Sequence, residues 1–117
     1  MENVIVLFEV TVKDGKMEDY LKMAAGLKEA LSQAEGYIRS ERFSSLAVEG
    51  KLLSMSVWKD EASAARWRNL TVHRMCQKHG RMTDFADYAI TVVIPRRAYS
   101  MTQRKEASED SNIFFNL

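Results

Sequence analysis

One cysteine, one proline and five glycines are all this 117-residue chain has of the residue types that staple or sharply punctuate a fold. The lone Cys76 cannot close an internal disulfide, so burial has to supply the stability, as in a reducing compartment. Charge of one sign is scarce as well. Seventeen basic against sixteen acidic residues leave a net +1, too little to hold a phosphate backbone or an anionic bilayer. No apolar run is long enough to span a membrane, and no leader segment is expected. There is no glycine-flanked serine turn of the G-x-S-x-G kind, which removes the hydrolase triad. These deficits predict a cytoplasmic protein with neither nucleic acid nor membrane as partner.

What is present is regular patterning over a length that makes one domain. Val4 to Val12 is β-branched and aromatic, with Val4, Val6, Phe8, Val10 and Val12 on one face and Ile5 and Leu7 on the other. A strand apolar on both faces is expected to be central. Beyond the turn at Asp14 and Gly15, Tyr20, Ala24, Leu27 and Leu31 recur at helical spacing, with Gly36 as the left-handed stop. Tyr37 to Ser45 and Lys51 to Trp58 form a hairpin across Glu49 and Gly50. Asp60 is placed to cap the next helix, and Thr71 to cap a further helical piece running to Gly80. Phe85 to Ile94 is the last strand, closed by Pro95.

This order predicts an α+β fold, a ferredoxin-like βαββαβ plait with an antiparallel sheet and helices on one face. The other face, carrying Leu53, Met55 and Val57, then needs a cover, and a second copy of the chain is the expected one. Residues 1–101 are assigned to this domain. Residues 102–117 are expected to be a polar, flexible tail with an apolar end at Ile113, Phe114, Phe115 and Leu117, and Arg96 to Met101 to be a short strand reaching the partner.

Chemistry is concentrated at the junction of the third strand with the helices after it. Trp58 ends the strand, and Trp67, Asn69 and His73 follow, a set suited to the wall of a small-molecule cleft. Ser54 and Ser56 share the helix-facing side with Trp58, and small hydroxyls there leave room. His73 is the candidate acid or base, because imidazole titrates near neutral pH. Trp67 also sits at core spacing from Ala64, so it serves a packed interior equally well. Val72, Met75, Cys76 and His79 make a helical stripe that reads Cys76 as a small buried hydrophobe. No Cys or carboxylate stands at ligand spacing from His73, so no metal is expected. Asp84, Asp87, Arg96 and Arg97 read as solvated strand ends.

The strand Lys51 to Trp58, followed by KDEASAARWRNLTVHRMCQKHGR and FADYAITVVIPRRAYSM, resembles the antibiotic biosynthesis monooxygenase domain family from about Val4 to Met101. The resemblance implies a dimeric α+β barrel with a cavity between helices and sheet. It also implies oxidation of a small aromatic or quinone-like metabolite by molecular oxygen without a cofactor. Of that family's residues, the strand tryptophan matches Trp58, whereas its strand asparagine falls on Ser54 and its helical tyrosine on Ala64. The haem-degrading branch places its ligand where this chain has Gln77 and its distal asparagine near Phe8. Haem thus enters only as an alternative through His73 or His79, and a non-catalytic binding protein as another. The expected assignments are His73, Trp67 and Asn69 as catalytic, and Trp58, Ser54, Ser56 and Gln77 as contacts to a small hydrophobic molecule.

Overall fold

The computed structural model describes residues 2–117, the side chains of residues 71 and 72 apart. Strands β1 (Val4–Val12), β2 (Tyr37–Ser44), β3 (Lys51–Trp58) and β4 (Phe85–Val93) form one sheet in the order β2-β3-β1-β4. Every pairing is antiparallel. β1 is central, as its two apolar faces require. Helices α1 (Met17–Gly26) and α2 (Lys28–Ser32) join β1 to β2, and α3 (Glu61–Asn69) and α4 (Thr71–His79) join β3 to β4 through a π-helical turn, Gly80–Asp84. This is the α+β plait with its antiparallel sheet.

Register fixes which residues share a face. Val10 opposes Leu52 and Tyr88, and Phe8 opposes Ser54 and Ile90, so these rows face the helices together. Two packed clusters lie there. One holds Val10, Val12, Tyr20 and Leu52, with Phe8, Phe85 and Tyr88 against it. The other holds Trp58, Ala64 and Trp67, backed by Val6, Leu27, Ala30, Leu31, Ala34 and Tyr37.

Several boundaries differ from expectation, each for a local reason. The first helix breaks at Leu27, whose N–H turns back to the Ala24 carbonyl beside Gly26, a weak helix former. Its second piece ends at Ser32, so Gly36 is not its cap. Gly36 instead turns the chain into β2 at φ +81°. Asp60 does cap α3, its Oδ1 accepting from the Ser63 N–H at 2.8 Å and the Ser63 hydroxyl at 2.6 Å. Leu70, not Thr71, occupies the cap position of α4. Capping by the Thr71 side chain, and the place of Val72 in the apolar stripe, lie outside the described residues. Asp84 is fully buried and not a solvated strand end. No strand is assigned over residues 96–101, and a short helix α5 (Glu109–Phe114) occupies the polar tail. Ile113, Phe114, Phe115 and Leu117 are all exposed.

Candidate active site

Strand β3 delivers Trp58 beneath the helices, where it is only 1% exposed and donates from Nε1 to the Ser56 hydroxyl at 2.9 Å. Buried indoles ordinarily find such a partner for their one polar atom. Helix α3 carries Trp67 over it, with ring centroids 6.2 Å apart. His73, from the first turns of α4, stacks on Trp67 at 4.8 Å and 26°. The three rings, which come from three elements, thus form a continuous stack that runs from the sheet outward. Gly36 makes this close approach possible, since a Cβ there would lie 2.0 Å from Ser63 Oγ of α3.

The polar atoms around the outer ring form a chain whose direction can be assigned. Arg74 can only donate, and its guanidinium reaches Gln77 Oε1 at 2.8 Å and Asn69 Oδ1 at 2.7 Å. Gln77 therefore turns its amide nitrogen to His73 Nδ1, 3.1 Å away. Nδ1 accepts, which places the imidazole proton on Nε2. Asn69 returns its own amide to the Ala65 carbonyl at 2.9 Å. Burial lowers the His73 pKa, hydrogen bonding of the ring N–H to the backbone carbonyls of Trp67 and Arg68 opposes that shift, and the Arg74 charge reinforces it. His73 is thereby held neutral at physiological pH. Burial likewise raises the Cys76 thiol, away from reactive thiolate character.

The structure brings Trp58, Trp67, His73, Asn69 and Gln77 into one network. Ser56 is committed to Trp58. Ser54 belongs to a different row, beside Phe8 and Ile90. Ile90 and Val92 are 57% and 48% exposed although they lie on the helix-facing side. The helices thus leave an apolar strip of the edge strand β4 uncovered. Two surface hollows lie elsewhere. One, of about 490 Å³, is lined by Arg81, Phe85, Ala86, Asp87 and Tyr88. The other, of about 300 Å³, lies over Phe43, Lys51 and Leu53. Neither is lined by the indoles or by His73.

Arg74 was not singled out from the sequence. Its i, i+3 spacing to Gln77 was the available signal. His79, the other substitute haem ligand, faces Asp19 at 2.8 Å and not the indoles.

The model of one family, antibiotic biosynthesis monooxygenase, matches residues 3–79. The chain belongs to the antibiotic biosynthesis monooxygenase family. Within it, the chain is 37% identical over 87 residues to "Jasmonate monooxygenase ABM" of Pyricularia oryzae, a match covering 74% of this chain and 40% of that protein. The chain thus spans well under half of that relative's length. Solved structures share the fold. SnoaB, a cofactor-independent oxygenase from Streptomyces nogalater, aligns at TM-score 0.72 and 13% identity over 84% of this chain and 97% of its own. A conserved protein from Methanosarcina mazei aligns at TM-score 0.73 and 19% identity over 80% and 92%. Two of these three proteins are named as a monooxygenase or an oxygenase.

Proposed function

We propose that this family member is a cofactor-independent monooxygenase or oxidase acting on a small aromatic or quinone-like metabolite at the outer face of the Trp58, Trp67 and His73 stack. The observation that carries the reading is His73, half-buried against Trp67 and held neutral with its proton assigned to Nε2. A flat substrate seated on the uncovered strip beside Ser54 and Ile90 would meet an apolar floor and a single polar edge.

In this reading the substrate anion itself reduces oxygen. For a ring methylene, one O₂ converts CH₂ to C=O, with the second oxygen atom leaving as water. The protein orients the substrate, excludes water from the ring stack, and manages one proton at His73. In this step Nε2–H turns from the backbone carbonyls of Trp67 and Arg68 to the oxygen on which charge develops, and Gln77 and Arg74 keep the imidazole in that tautomer. Asn69 is held by Arg74 at the rim. Trp67 supports the ring, while Trp58 and Ser56 build the floor beneath it.

The experiment is oxygen uptake by chelator-treated protein given anthrone, hydroquinone or, following the 37% identical relative's printed name, jasmonate. Turnover is expected with at least one, reduced about 100-fold in His73→Ala. Tight binding with no oxygen uptake would favour a sequestering protein instead, a reading supported by Ser54 and Ala64 at the positions where the family resemblance implies asparagine and tyrosine. For haem, a Soret band on adding hemin that is lost in His73→Ala would replace the proposal.

A further inference from the structure

Away from the indoles, three ligand atoms from three elements converge beside α1. Asp19 comes from α1, His79 ends α4, and Asp84 ends the π-helical turn. His79 Nε2 lies 2.8 Å from Asp19 Oδ2 and 3.6 Å from Asp84 Oδ2. One ligand atom from each residue falls within 4.8 Å of the other two.

Asp84 makes this more than a surface ion pair. It is 0% exposed, and neither carboxylate oxygen has a hydrogen-bond partner among the described residues. A buried carboxylate without donors is among the costliest polar arrangements a fold can keep. His79 does not relieve it, since 3.6 Å is beyond a hydrogen bond and concerns one oxygen only. Lys16 adds positive charge felt by all three groups, yet no lysine or arginine among the described residues forms an ion pair with Asp84.

We propose that Asp19, His79 and Asp84 form a divalent metal site, with zinc the ion best matched to one imidazole and two carboxylates. Ligand bonds of about 2.0–2.2 Å around a tetrahedral centre set donor atoms roughly 3.3–3.5 Å apart. The separations of 2.8 and 3.6 Å to His79 bracket that spacing, and the two carboxylates lie within 4.8 Å of each other. Asp19 and His79 are each about half exposed, which leaves an entry path and room for a water as fourth ligand. Burial first, and then Asp19, raise the Asp84 pKa, and a bound divalent ion would hold this carboxylate ionised. The ion would tie α1 to the end of α4 and to the turn that starts β4, and it shares no residue with the ring stack.

The site is tested on the full chain, stripped with chelator and titrated calorimetrically with zinc, manganese and calcium chlorides. One zinc per chain is expected, bound more tightly than manganese and far more tightly than calcium, together with a rise in melting temperature. Asp19→Asn, on the exposed rim, is expected to weaken zinc at least tenfold while folding normally. His79→Gln should do the same, and Asp84→Asn should abolish the zinc-dependent rise. Absence of zinc binding, a preference for calcium, or zinc affinity unchanged in both Asp19→Asn and His79→Gln would overturn the site. If Asp84→Asn does not fold, the two rim variants still decide.

Discussion

Two histidines six positions apart on one helix titrate in opposite directions because their neighbours differ. Burial against Trp67 lowers His73, whereas the hydrogen bond to Asp19 raises His79. His73 therefore stabilises the fold above the unfolded histidine pKa of about 6.5, and that contribution is lost as pH falls from there toward its folded value. His79 contributes fully below about 6.5 and loses it as pH rises through its elevated folded value. In the chelator-stripped protein, histidine ring resonances followed by NMR should give one midpoint below and one above that reference. Two coincident midpoints would contradict the environments described. At this scale the sequence made part of the site readable. Trp58, Trp67 and His73 were legible because aromatic residues cluster visibly at a strand-to-helix junction. Arg74 and Asp84 were not, since a helical arginine and a strand-end aspartate look solvated until the fold shows what faces them.

Elements meet at a few close approaches, and these are where substitutions should cost most. Gly36 combines φ +81° with a Cβ position already filled by Ser63, so Gly36→Ala is expected to destabilise the protein by on the order of 2–3 kcal/mol in chemical denaturation. Gly15, also at positive φ but with nothing near its Cβ, should lose less on the same change. Trp58→Ala, which empties the floor of the stack, is expected to cost about 3–5 kcal/mol. The bounds of β1 and β3 were legible to the residue, because runs of Val, Ile and Leu end abruptly at polar turns. The break at Leu27 and the π-helical turn after His79 were not. Gly26 weakens the first helix only locally, and the turn is held by Gly80 packing under the Phe85 ring, a contact between residues that periodicity assigns to different elements.

At the scale of the whole molecule, the radius of gyration of 16.9 Å exceeds the roughly 13 Å of a compact chain of this length. The sheet face away from the helices carries Ile5, Leu7, Leu53 and Met55, and Phe43 on it is 41% exposed. We infer that a second copy covers this face, and sedimentation is expected to return a dimer that Met55→Lys shifts toward monomer. A monomer at all concentrations would refute that. The plait was readable from element order and the apolar outer face from the alternation along β1 and β3, whereas the short helix α5 in the polar tail was not. No described helix is long and apolar enough to cross a membrane. The most direct measurement is oxygen uptake with an electron-rich aromatic substrate after exhaustive chelation, comparing the native chain with His73→Ala and Gln77→Ala. Turnover is expected to survive chelation, to fall about 100-fold without the imidazole, and to fall less without Gln77. Turnover that requires added metal, or that is equal in all three proteins, would contradict the proposed function.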